Sequence, residues 1–137
     1  MPVPSELISS VEQNIKKRIL IVDDDKSMVD SIVRTLKREN KYDLEVAYDG
    51  FEAGQKFAEY KPDLITVDLR MPGLDGYQLC SKIRENIQNK MVKILIISGV
   101  VKYKNIEKVL SLGANDYLLK PFNSTELKTK IDKLLSS

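Results

Sequence analysis

Apolar positions along the chain follow two alternating rhythms. Short, largely β-branched runs at residues 18–22, 44–47, 64–67, 93–97 and 116–119 read as five strands. After them, Met28/Ile32/Val33/Leu36, Ala53/Phe57, Leu79/Cys80/Ile83, Ile106/Val109/Leu110 and Leu127/Ile131/Leu134 recur every three or four residues, which is the stripe of an amphipathic helix. Strand and helix in regular alternation predict an α/β fold with a parallel sheet. The first, third and fourth strands are apolar enough to be covered on both faces, so the expectation is a doubly wound five-stranded parallel sheet with helices on both sides. Punctuation agrees with these limits: Pro62 follows the second helix, Pro72-Gly73 opens a loop after the third strand, and Asn123 with Glu126 resembles a capping box.

Open parallel sheets bind ligands beyond the carboxyl ends of their strands, and the polar residues of interest fall there. Asp23 and Asp24 follow strand one, Asp68 follows strand three, Ser98 follows strand four and Lys120 follows strand five. If strands one and three are neighbours, three carboxylates meet in a pocket of formal charge −3, which Lys120 reduces to −2. Such a cluster is costly unless it faces water, caps a helix or holds a cation, and a divalent cation would neutralise the remaining charge of this pocket. Oxygen donors without imidazole or thiolate favour Mg²⁺, with Mn²⁺ as a substitute. A carboxylate beside a divalent metal, an ammonium and a hydroxyl suits phosphoryl transfer, with Asp68 as nucleophile and Ser98 and Lys120 on the phosphoryl oxygens. Asp25 reads instead as the cap of the following helix.

Composition removes competing chemistries. The chain contains no histidine, which excludes Ser-His-Asp and Cys-His catalysis and His-ligated zinc, and it has neither GxxxxGK[ST] nor GxGxxG. Its 22 basic and 20 acidic residues leave a formal charge of +2, too balanced to suggest direct nucleic-acid contact or an anionic membrane. No apolar run approaches the ~20 residues of a membrane span. The lone Cys80 reads as buried packing, and with no secretion signal visible the expected location is the cytoplasm.

The motifs ILIVDDD, VDLRMPGLDG, ILIISG and GANDYLLKPF, spaced 44, 30 and 22 residues apart from Asp24 to Asp68 to Ser98 to Lys120, resemble the receiver domains of bacterial two-component response regulators. The resemblance spans roughly residues 17–135 and implies a flavodoxin-like strand order 2-1-3-4-5. It further implies that Asp23, Asp24, Asp68 and the backbone carbonyl of Arg70 bind Mg²⁺, and that Asp68 accepts a phosphoryl group. Ser98 and Tyr117 would form the switch pair, and the Lys120–Pro121 peptide would be cis. The implied partners are a sensor histidine kinase or histidine phosphotransfer protein and a downstream protein that reads the face formed by helix four, strand five and helix five. On this reading the chain is a phosphoacceptor, not an enzyme, that assists only its own phosphorylation and dephosphorylation.

Two other readings compete. Asp23-x-Asp25 is also the opening motif of haloacid-dehalogenase-like phosphatases, in which Asp23 would attack and Asp25 act as acid/base; that leaves Asp68 idle. A receiver-like scaffold that is never phosphorylated would need none of these residues. Residues 17–137 are thus assigned to the receiver domain and residues 1–16 to an N-terminal extension. In that extension Leu7, Ile8, Val11 and Ile15 share one face of a predicted amphipathic helix, which would persist only by docking on the domain or on a second copy as a homodimer; the alternative, with no strong C-cap in the sequence, is a loose tail. Only Ser136 and Ser137 follow Leu135, so no effector is expected within these residues.

Overall fold

The computed structural model describes residues 16–99 and 102–136. Strands β1 (Lys17–Val22), β2 (Tyr42–Ala47), β3 (Leu64–Val67), β4 (Lys93–Ser98) and β5 (Asp116–Leu119) alternate with helices α1 (Lys26–Lys37), α2 (Gly50–Tyr60), α3 (Gly76–Glu85), α4 (Tyr103–Ser111) and α5 (Ser124–Leu135). All strands pair in parallel, in the order β2-β1-β3-β4-β5. The doubly wound, flavodoxin-like arrangement expected from the sequence is the one found.

Successive side chains of a strand point to opposite faces, and the core divides accordingly. On one face Ile19, Ile21, Leu64, Leu95, Ile97 and Leu118 meet Val29, Ile32 and Leu36 of α1 and Leu127 and Ile131 of α5. On the other, Leu20, Val22, Ile65, Val67, Ile94 and Ile96 meet Ala53, Leu79, Cys80, Ile83 and Val109 from α2, α3 and α4. The apolar runs of β1, β3 and β4 are therefore explained by burial on both sides.

Helix starts are set by short polar side chains. Asp25 accepts hydrogen bonds from the Ser27 and Met28 amides, Asp49 caps α2, and Asp75/Gln78 and Asn123/Glu126 form capping boxes on α3 and α5. Only α4, among the described helices, lacks a side-chain cap, Lys102 standing at that position. Missing caps typically cost helices about 1 kcal/mol, so α4 is the least firmly anchored at its start.

Some local features differ from the sequence pattern: β1 starts one residue earlier, at Lys17, and Ser98 is the last residue of β4 rather than following it, because it continues the pairing with β5. β2 begins at Tyr42 rather than Leu44, because Tyr42 and Asp43 pair with Lys17 and Arg18 of β1; an edge strand needs no apolar alternation to do so. A short 3₁₀ turn, Ile87–Asn89, follows α3. The N-terminal helix predicted within residues 1–16 lies, but for Lys16, outside the described residues, and Lys16 is exposed and in neither helix nor strand. Among the described residues no helix is long and apolar enough to cross a membrane.

Candidate functional site

Strand register brings the polar residues together. Val22 lies beside Ala47 of β2 and Val67 of β3, and the next residue on each strand continues the pairing: the Asp23 amide donates to the Ala47 carbonyl and the Asp68 amide to the Val22 carbonyl, both at 3.2 Å. Asp23 and Asp68 thus emerge side by side at the carboxyl ends of β1 and β3. The Lys120 amide donates to the Ser98 carbonyl at 2.9 Å, which sets β5 against β4 at the same rim.

The side chains converge as expected. Carboxylate oxygens of Asp23, Asp24 and Asp68 lie within 4.8 Å of one another. Asp23 (2% exposed), Asp68 (8%) and Ser98 (2%) are buried, whereas Asp24 is exposed and forms the solvent side of the cluster. The Lys120 ammonium reaches between the two buried carboxylates, 2.7 Å from Asp23 Oδ2 and 3.3 Å from Asp68 Oδ2. Their other oxygens are held by backbone, Asp23 Oδ1 by the Asp25 amide at 3.0 Å and Asp68 Oδ1 by the Arg70 amide at 3.3 Å. Each buried carboxylate is therefore fixed at both ends before any ligand arrives.

Charge tuning follows from this packing. Burial pushes the Asp23 carboxyl above its ordinary value, assisted by the Asp68 charge and opposed by the bonds from Lys120 and the Asp25 amide. Burial alone would lower Lys120, but its bonds to Asp23 and Asp68 and their charges hold the ammonium above its usual range. With three carboxylates and one ammonium the rim keeps a formal charge of −2.

That arrangement fits a small hard cation. All the donors are oxygen, Asp24 offers an open carboxylate, and Lys120 leaves the cluster short of neutrality. Mg²⁺ is thus compatible with the residues present.

The loop after β3 is held in place by close approach of α3. A Cβ on Gly76 would stand 2.3 Å from the Asp68 carbonyl oxygen and 2.7 Å from Leu69 Cα, so only glycine lets the helix start this near the acidic rim. Arg70 occupies that loop with its side chain exposed, beside a cleft of about 560 Å³ lined by Leu69, Tyr77, Gly99, Lys102 and Asn105. Tyr117 lies half-buried on β5, and the Lys120–Pro121 peptide is cis.

Asp25 does not join the cluster. Its Oδ1 accepts from the Ser27 hydroxyl at 2.7 Å and from the Ser27 and Met28 amides, and these bonds hold its carboxyl below the ordinary carboxylate range. A carboxylate committed to a helix start is poorly placed as the acid/base that the phosphatase reading requires. One contact had no sequence signal: Lys130 of α5 binds Asp116 and approaches the Tyr117 ring, and only the docking of α5 at the sheet edge brings them together.

Comparison with known proteins points one way. The family model for the response regulator receiver domain matches residues 19–132. The chain is 39% identical over 123 residues to the alkaline phosphatase synthesis transcriptional regulatory protein PhoP of Bacillus subtilis (strain 168), a match covering 88% of this chain and 49% of that protein. The chain thus spans about half the length of that relative. Among solved structures, the signal receiver domain of a response regulator from Bermanella marisrubri is 40% identical, with a TM-score of 0.79 over 88% of this chain and 99% of that one. A response regulator receiver domain protein (CheY-like) from Methanospirillum hungatei JF-1 is 32% identical, with a TM-score of 0.82 over 89% of this chain and 95% of that one.

Proposed function

The chain belongs to the response regulator receiver domain family, and on that premise we propose that it is a phosphorylation-dependent switch that takes a phosphoryl group onto Asp68 from a partner histidine kinase or phosphotransfer protein. The observation that carries this reading is the convergence of Asp23, Asp24 and Asp68 with Lys120 bridging two of them.

In the proposed reaction an Asp68 carboxylate oxygen attacks phosphorus in line. The new O–P bond forms as the P–N bond of the donor phosphohistidine breaks, and the imidazole leaves with the electron pair and is protonated. None of the 137 residues is histidine, so the phosphohistidine belongs to a partner. Asp23, Asp24, Asp68 and the Arg70 carbonyl would hold Mg²⁺, which when bound supplies positive charge to the phosphoryl oxygens. Lys120, already between Asp23 and Asp68, donates to one transferred oxygen, and the Ser98 hydroxyl donates to another. Because the Asp23 and Asp68 carboxylates are buried and held before transfer, the acceptor needs little reorganisation.

The acyl phosphate carries about one more negative charge than the carboxylate, with new acceptor oxygens. Drawing Ser98 and Lys120 toward them biases Tyr117 and the surface of α4, β5 and α5, the face we assign to a downstream partner. The uncapped start of α4 suits that role, since a helix with a weak first turn shifts at small cost. Hydrolysis of the acyl phosphate resets the switch. A cytoplasmic setting belongs to the same proposal, as does assignment of residues 1–16 to an extension of the domain.

The direct test is incorporation of a phosphoryl group from phosphoramidate or acetyl phosphate, followed by intact mass. The parent should label with Mg²⁺ and not in a chelator, and Asp68→Asn should not label. Equal labelling of the parent and Asp68→Asn at the same position would overturn the reading.

A further inference from the structure

We infer that Lys130 is a positioning residue for Tyr117, holding its ring at the outer edge of the sheet and so setting how readily the switch responds; this rests on the receiver reading above. Leu118 belongs to the core beneath α1 and α5, so its neighbour Tyr117 faces the opposite side, where it packs against the core beneath α2–α4. Lys130, however, comes from α5. Its ammonium nevertheless lies 5.4 Å from the centre of the Tyr117 ring. A group from one side of a sheet reaches a ring on the other only around an edge, and β5 is that edge strand. The ring therefore sits at the margin.

Asp116 locks the arrangement. Its carboxylate takes the Lys130 ammonium on both oxygens, at 3.1 and 3.0 Å, and Oδ1 also accepts the Tyr117 amide at 2.8 Å. One side chain thus fixes both the backbone of Tyr117 and the cation that faces its ring. The Lys130 and Asp116 side chains are only partly exposed, which limits competition from water. If Tyr117 turns inward toward the end of β4 it gives up this cation–π contact. For a site of this exposure the contact corresponds to about a two- to fivefold bias toward the outer position. Neither the acidic rim nor the switch pair includes Lys130, so its loss should change the resting balance without touching the phosphoacceptor chemistry.

The test follows the Tyr117 ring by ¹⁹F NMR in the full chain carrying 3-fluorotyrosine, with Tyr117→Phe identifying its signal. Spectra are taken with and without Mg²⁺ plus beryllofluoride as the phosphoryl mimic. In Lys130→Gln the inward population before beryllofluoride should rise about two- to fivefold and half-saturation should fall by the same factor, because the competent state is pre-populated. Lys130→Arg, which keeps a cation, should restore the parent values. If Lys130→Gln lowers thermal stability but leaves both the ring population and the titration midpoint unchanged, Lys130 is only an ion-pair partner of Asp116 and the proposal is wrong. If beryllofluoride binds the parent yet moves Tyr117 in no variant, the switch pair itself is wrong and the proposal falls with it. Failure of beryllofluoride to bind even the parent would reject the receiver reading first.

Discussion

Replacing Asp24 by Asn should stabilise the metal-free protein and make it less responsive to Mg²⁺. Asp24 is the exposed member of a cluster whose carboxylate oxygens lie within 4.8 Å of one another. It faces two carboxylates whose charge is partly offset by the Lys120 ammonium bonded to both, a net of about one repulsive charge. At 4.8 Å in a water-like dielectric, one such repulsion is worth about 0.9 kcal/mol. Screening at 0.15 M ionic strength, where the Debye length is about 8 Å, halves it to roughly 0.5 kcal/mol. In a chelator at low salt, thermal unfolding of Asp24→Asn should therefore occur roughly 3 °C above the parent, and the gap should narrow as salt is added. Mg²⁺ reverses the order, since a ligand at ten times its Kd stabilises by about 1.4 kcal/mol and the variant has lost a donor. The two melting curves should cross as Mg²⁺ is raised. A variant less stable than the parent without metal, or an equal gain from Mg²⁺ in both proteins, would refute the argument that this cluster stores repulsion which a cation relieves.

Other consequences can be checked separately. Leu127→Ala, at a fully buried site between α5 and the sheet, should cost about 2–5 kcal/mol in urea unfolding. Gly76→Ala forces a methyl against the Asp68 carbonyl and should cost on the order of 1–3 kcal/mol while slowing labelling of Asp68 by phosphoramidate. Cys80 is fully buried, and burial pushes its thiol up to about 12, so at pH 8 it should react with a thiol reagent only after denaturation. The sign of its pH effect follows: because the folded value is raised, its contribution to stability is complete below pH 9.0 and is lost as pH rises from there toward about 12, a slope that Cys80→Ala removes.

Most of the fold was legible because β1, β3 and β4 are buried on both faces and spell this out as continuous apolar runs. β2 was less so, since an edge strand tolerates Tyr42 and Asp43 where a central one would not. Asp23, Asp68, Ser98 and Lys120 could be placed from sequence because strand ends of a parallel sheet share one rim, and register then makes them neighbours. Burial of Asp23 was not legible: an aspartate in a DDD run looks solvated, and the Lys120 ammonium at 2.7 Å together with the Asp25 amide at 3.0 Å explains how it is tolerated inside. The Asp116–Lys130–Tyr117 contact was equally hidden, because residues 14 apart on a strand and a helix meet only through the angle at which α5 docks.

Locating the acyl phosphate tests the central claim most directly. After reaction with phosphoramidate and Mg²⁺, borohydride reduction converts a phosphorylated aspartate to homoserine, which peptide mass spectrometry assigns to a residue. The account predicts homoserine at position 68 alone, and none there in Asp68→Asn. Homoserine at position 23 with Asp68 unmodified would contradict it and revive the phosphatase reading.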